Sequence, residues 1–254
     1  MVEERGAGAP LVCVNGLGAH LGYWFSTAER LAARHRVVIY DHRGSGRSDA
    51  PPGLYTIEQM RDDLKGLLDA LGMERASLVG HSMGGSVAMS LAAAHPERVD
   101  RLVLYSTAAT MANASARFIE SVERVWTECP RISSGALTRI FVPWSWSPPR
   151  LADDGFIETM VALADNNPYK MKVEGFRAQM HACMTFDGRP LLARITAPTL
   201  VIGAHHDLLC PLDRVQSLAE GVNGARLTVS QSGHNTHLEE PEWFATQVLG
   251  FTAR

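Results

Sequence analysis

The stretch Leu78-Val79-Gly80-His81-Ser82-Met83-Gly84-Gly85 decides the fold. It runs from an apolar segment through Gly-x-Ser-x-Gly into an alanine-rich segment with helical spacing. That pattern predicts a strand driven through a very tight turn into a helix. Such a turn holds its middle residue in a strained backbone conformation, so Gly80 and Gly84 must be small. The strain presents Ser82 Oγ at the end of the strand. The helix that follows points its N-terminus, and a partial positive charge, at the same place. Both features suit a serine that attacks a carbonyl carbon. A glycine-rich turn without chemistry is the bland alternative, and Gly85 together with the flanking strand and helix weighs against it.

Strand and helix signals alternate on both sides of this turn. Upstream, Pro10 to Val14 and Arg36 to Tyr40 are short apolar, β-branched runs that predict buried strands. Trp24 to Arg34 between them has helical periodicity. Asn15-Gly16-Leu17-Gly18 is a turn, and Asp41 to Asp49 is a polar loop extended by Pro51-Pro52-Gly53. Charge pairs and Asx turns from Asp41, Arg43 and Asp49 are expected to hold that loop. Thr56 with Gln59 reads as a capping box opening a helix that stops at Gly72. Ala76 to Val79 leads into the turn, Met83 to His95 follows it, and Arg101 to Tyr105 is the next strand. Such alternation implies βαβ units and a mostly parallel sheet with helices on both faces. Met1 to Arg5 is either one further strand or the sheet is short on that side.

The alternation breaks over residues 109–190. Helical patterns at Ala116–Glu128, Gly155–Ala164 and Tyr169–Met184 are separated by proline-rich turns, of which Pro143 to Pro149 is the clearest break. The α/β pattern resumes with a strand at Thr199–Ile202, a helix at Leu212–Glu220, a strand at Arg226–Val229 and a closing helix at Glu240–Phe251. The expected organisation is therefore an α/β core of residues 1–108 and 191–254 carrying a helical cap at 109–190.

Composition excludes several classes. The chain has 254 residues, 46% hydrophobic and 20% charged, with net charge −3, a globular balance. No long basic run favours nucleic acid. Four scattered cysteines, Cys13, Cys129, Cys183 and Cys210, suggest buried free thiols rather than zinc ligands or disulfides. Neither a signal peptide nor a membrane span is visible, so a cytoplasmic protein, monomeric or homodimeric, is expected.

A serine nucleophile needs a base, and the base needs an orienting carboxylate. Two loops at strand ends provide candidates on the same sheet edge as Ser82. The first holds His205-His206-Asp207, the second His234-Asn235-Thr236-His237. Asp207 could instead be a turn residue or helix cap, and His237 competes with His234. His205, His206 and Asp207 resemble a metal cluster, but adjacent loop residues rarely ligate together, so neither metal nor cofactor is expected. His81 is expected to be structural. Trp144, Trp146 and Phe141 in the cap are candidates for pocket lining, and His237 for a pocket wall. Arg139, Lys170, Lys172 and Arg177 are candidate clamps for an anionic substrate.

With these residues in view, the chain resembles serine hydrolases of the α/β-hydrolase superfamily over almost its whole length. The matching pieces are Asn15-Gly16-Leu17-Gly18, Tyr40-Asp41-x-Arg43-Gly44-x-Gly46-x-Ser48, the Ser82 turn, the Asp207 loop with Pro211, and Gly233-His234 with Glu239-x-Pro241. The resemblance implies Ser82 as nucleophile, His234 as base, Asp207 as orienter, and the N–H groups of Leu17 and Met83 as an oxyanion hole. An alternative acid position after Tyr105 is filled by Ser106 and Thr107. Asn15 stands where many members have histidine, so the oxyanion turn is expected to be held differently. Ser48 to Gln59 and Ser106 to Ala109 are similar to 3-oxoadipate enol-lactonases. Tyr23-Trp24 and Asn166-Asn167 are similar to aminoacrylate hydrolases. The implied reaction is cleavage of a small-molecule ester or lactone through an acyl-enzyme. Cleavage of an amide, carbamate or carbon–carbon bond is the alternative, and a non-catalytic ligand-binding protein of this fold is a third.

Overall fold

A computed structural model describes residues 1–253. Seven strands form one sheet: β1 (Val2–Arg5), β2 (Ala9–Val14), β3 (His35–Tyr40), β4 (Ala76–His81), β5 (Val99–Tyr105), β6 (Thr199–Ala204) and β7 (Arg226–Ser230). Their spatial order is β1-β3-β2-β4-β5-β6-β7, with β1 antiparallel to β3 and every other pair parallel. Met1 to Arg5 thus contributes a strand.

Apolar residues fill both faces of the central strands, as a doubly covered parallel sheet requires. Val12, Val38, Leu78, Leu102 and Leu104 point into one layer. Leu11, Cys13, Val37, Val79, Val103 and Tyr105 point into the other. Helices α1 (Phe25–Leu31) and α11 (Pro241–Thr252) cover the second face, whereas α2 (Ile57–Ala70), α3 (Met83–Ala94) and α9 (Leu212–Gly221) cover the first. The Thr56–Gln59 capping box forms in both directions, and Gly72 takes φ +65° at the end of α2.

Between β5 and β6 lies the cap: α4 (Asn113–Glu128), α5 (Ser134–Ser145), α6 (Pro148–Leu151), α7 (Asp154–Asp165) and α8 (Val173–Thr185). The break expected over 143–149 is confined to Trp146 and Ser147, between α5 and α6, and Pro143 lies inside α5, a helix the sequence pattern did not predict. Proline removes one donor and crowds the turn before it. Pro143 cannot donate to the carbonyl four residues back, yet the helix runs on to Ser145, and the chain leaves it only at Trp146, which is extended at φ −127°, ψ 151°. The closing helix α11 is continuous from Pro241 to Thr252. A short α10 (Thr236–Glu239) precedes α11, because Glu240 before Pro241 is pushed out of the helical region. Cys129 is exposed, while the other three thiols are free and buried. Among the described residues, no helix is long and apolar enough to cross a membrane.

Candidate active site

Ser82 sits between β4 and α3 at φ +52°, ψ −119°, a conformation that costs an L-residue about 1–3 kcal/mol. Close packing of the flanking glycines holds it there. A Cβ on Gly80 would lie 2.7 Å from both Gly84 O and Gly85 Cα, and one on Gly84 would collide with the Val14 and Asn15 carbonyls. Gly85 makes room for Thr107, whose Oγ1 donates to the Ser82 carbonyl at 2.8 Å. Ser82 Oγ makes no hydrogen bond among the described residues, and the side chain lines a cavity beneath the cap.

His234 lines the same cavity from the loop after β7. Its Nδ1 lies 2.9 and 2.8 Å from the two carboxylate oxygens of Asp207. A carboxylate only accepts, so Nδ1 carries the proton, and in the neutral ring Nε2 keeps its lone pair. Asp207, 4% exposed, also accepts the Cys210 N–H at 2.8 Å, so one oxygen closes its own turn while both face the imidazole. The loop of His234 is anchored by Glu239, which accepts the Gly233 N–H at 2.8 Å and the Ser147 N–H and hydroxyl from the cap.

The turn Asn15 to Gly18 approaches Ser82 from β2, where a Cβ on Gly16 would meet Ser82 Cβ at 3.3 Å. The N–H groups of Leu17 and Met83 are free of hydrogen bonds among the described residues. For Met83 that follows from its place as first residue of α3. Asn15 Nδ2 donates to Tyr40 O at 2.8 Å, and Asn15 O accepts from His42. The sequence reading missed Gln179. Fully buried on α8, it accepts the Gly18 N–H at 3.0 Å and donates to Arg43 O at 2.8 Å. A glutamine within a mostly apolar helical face was the available signal. Asp41 ties the neighbouring loop through the Leu21 and Arg47 N–H groups, at 2.6 and 2.9 Å. Arg43 pairs outside its loop, with Asp63 on α2, and Asp49 contributes its backbone carbonyl to Gly44.

The cavity has a volume of about 380 Å³. Trp146 and Phe141 line it, but Trp144 does not; it stacks on Phe118 within the cap, ring centroids 4.2 Å apart. His237 also lies away from the cavity. It is fully buried, accepting from Tyr105 Oη at Nδ1 (3.0 Å) and donating from Nε2 to Tyr23 O (3.1 Å). Both nitrogens are occupied because the short α10 turns this side chain inward, against Trp24 and Phe244. Of the candidate cations only Lys170 reaches the cavity wall; Arg139 pairs with Glu158 and Arg177 with Glu123. His81 is buried and stacked between Tyr23 and Tyr105, and its Nε2 donates to His234 O at 3.1 Å. A smaller pocket of about 70 Å³ also has Ser82 in its wall. Of its two thiols, burial pushes Cys183 up to about 12 and Cys210 well above the usual thiol range, so neither competes as a nucleophile.

The model of the alpha/beta hydrolase fold family matches residues 9–241. The chain belongs to the α/β-hydrolase family. A relative from Azorhizobium caulinodans named "Putative carbamate hydrolase RutD" is 35% identical over 258 residues, covering 98% of this chain and 93% of the relative. A 3-oxoadipate enol-lactonase 2 from Acinetobacter baylyi is 30% identical, covering 92% and 85%. The crystal structure of the enol-lactonase from Burkholderia xenovorans LB400 superposes with a TM-score of 0.87 at 29% identity, covering 100% of this chain and 96% of that one.

In this α/β-hydrolase the histidines beneath the site are neutral. Burial lowers His42 to about 4 and His237 to about 3, and burial with the neighbouring imidazoles pushes His81 well below the usual range. Unfolded histidines titrate near 6.5, so on acidification the unfolded chain takes up protons first. The stability these groups contribute is present above pH 6.5 and is lost as pH falls towards 4 for His42 and 3 for His237. Each contributes a slope of up to about 1.4 kcal/mol per pH unit in that window. Urea unfolding is expected to show lower stability at pH 5 than at pH 7. Equal or greater stability at pH 5 would contradict the neutral assignments.

Proposed function

We propose that the protein is a serine hydrolase of small-molecule carboxylic esters or lactones. The observation that carries this reading is the arrangement itself. A serine held at positive φ shares a cavity with a histidine whose other nitrogen is committed to a buried carboxylate. In this reading Ser82 attacks the acyl carbon while His234 Nε2 takes its proton. Asp207 holds the tautomer and stabilises the imidazolium. The oxyanion that forms accepts from the Leu17 and Met83 N–H groups. His234 returns the proton to the leaving oxygen, and a water activated by the same ring hydrolyses the acyl-enzyme. The enol-lactonase likeness supports this bond class. The RutD-named relative favours a second reading, cleavage of a carbamate.

A fluorophosphonate probe tests the assignment. The expected result is a single adduct, located by peptide mass spectrometry on the peptide containing Ser82. An unlabelled protein, or an adduct elsewhere, would refute it.

Gln179 gives a further expectation. Gln179→Leu leaves the Gly18 N–H and Arg43 carbonyl unpaired, each at a cost of about 1–3 kcal/mol. The turn carrying Leu17 then loses its tie to the cap. Misplacement of this kind costs up to about 10² in rate. We expect kcat to fall by about tenfold to 10²-fold with KM little changed, and Gln179→Glu, which keeps the acceptor for Gly18, to recover part of the loss. Unchanged kcat in the leucine variant would remove Gln179 from any positioning role.

A further inference from the structure

The two spaces that meet at Ser82 are unequal. The large chamber measures about 380 Å³ and the small pocket about 70 Å³. Leu17, Ser82, Met111, Ile119 and Leu209 belong to both walls. His234 lines only the large chamber, and Met83 only the small pocket. Resting on the serine-hydrolase reading above, we infer that this site takes esters of a short acid with a bulky, apolar alcohol.

The argument follows the proton. When the tetrahedral intermediate collapses, the bond between the acyl carbon and the leaving oxygen breaks. That oxygen takes its proton from His234 Nε2, so it must lie within hydrogen-bond reach of the ring. The alcohol attached to it therefore extends into the space that His234 lines, which is the large chamber. With the oxyanion directed at the Leu17 and Met83 N–H groups, the substituent on the acyl carbon has the small pocket left to it. At roughly 30 Å³ per water in the liquid, a space of about 70 Å³ holds only a few water-sized groups. Its walls are mostly apolar and include Met83, Ala108, Ile119, Cys183 and Phe186, which suits a short apolar acyl group such as acetyl. Ser86, Thr110 and Ser106 also line it, and the buried Ser106 hydroxyl has no hydrogen-bond partner among the described residues. The large chamber is walled by Phe141, Trp146, Met160 and Phe176, surfaces for an aromatic or branched alcohol. Once the alcohol departs, the same chamber admits the water that His234 activates for deacylation.

Two isomeric esters test this directly: 2-phenylethyl acetate and methyl 3-phenylpropanoate. They have the same composition with acyl and alcohol parts exchanged. The expected result is a kcat/KM higher for the acetate, on the order of 10²-fold, the scale at which pocket misfit discriminates. Rates within a few-fold, a preference for the methyl ester, or turnover of neither would overturn the inference, provided the fluorophosphonate labels Ser82 in the same sample. Failure of labelling would instead bring down the serine-hydrolase reading beneath it. Phe186→Ala enlarges the small pocket and is expected to narrow the preference by about tenfold. Ala112→Leu, at a half-buried helix start, fills that pocket and is expected to lower kcat/KM on the acetate by about tenfold with its melting temperature unchanged. If both variants fold and neither changes the ratio or the rate, the small pocket does not hold the acyl group.

Discussion

Ser82→Ala is expected to lower kcat on 2-phenylethyl acetate by on the order of 10⁴–10⁶, the loss seen when a catalytic serine is removed from such a triad. The fold should survive the change. Alanine meets the same positive φ that Ser82 already bears, the backbone contacts of the elbow stay in place, and among the described residues Oγ makes no hydrogen bond to lose. Thermal melting should therefore match the parent within a few degrees. The cavity walls are untouched, so the variant should still bind a non-hydrolysed analogue such as the matching ether. Rate loss with binding and stability retained identifies a group acting on the reacting atoms. Residual turnover above about 1% would mean that another group supplies the nucleophile.

Asp207→Asn is the second large effect, on the order of 10⁴ in kcat. Its logic is tautomeric. The aspartate accepts from His234 Nδ1 and from the Cys210 N–H. An asparagine can keep the Cys210 bond through its oxygen, which turns its amide N–H towards His234. Nδ1 must then accept, the ring proton moves to Nε2, and the base facing Ser82 is gone. The loop geometry is preserved, so the variant should melt close to the parent. Asp207→Ala removes the loop bond as well and should lose stability in addition to rate. Equal activity of parent and asparagine variant would show that Asp207 serves only its turn. Fluorophosphonate labelling gives a second reading, since the probe also requires an activated serine and should slow in parallel.

Much of this molecule is legible in one dimension. The Gly80–Gly85 elbow is local: each glycine is required by atoms within a few residues or on an adjoining strand, and the spacing records it. The Thr56–Gln59 capping box and the strand periods are local in the same sense. Pro143 misled because the packing of α5, chiefly against α7, outweighs the local proline penalty, and composition does not report that packing. Trp144 and Trp146 are two residues apart and equally aromatic, yet one stacks inside the cap and the other lines the cavity. His234 and His237 are similarly close, and the inward turn of α10 separates a ring facing the cavity from one with both nitrogens engaged.

The amino-acid order alone determined the alternating α/β layout, three of the inserted helices (α4, α7 and α8), the serine turn and the chain order of Ser82, Asp207 and His234, because each rests on short-range sterics or on burial period. Tertiary structure alone decided that Gln179 reaches Gly18 across 161 positions, that Arg139 and Arg177 are paired away from the cavity while Lys170 lines it, and that the space around Ser82 divides unequally. Those outcomes depend on where helices of the cap settle over the sheet. That placement is a sum of many distant contacts, none of which leaves a mark at any single position.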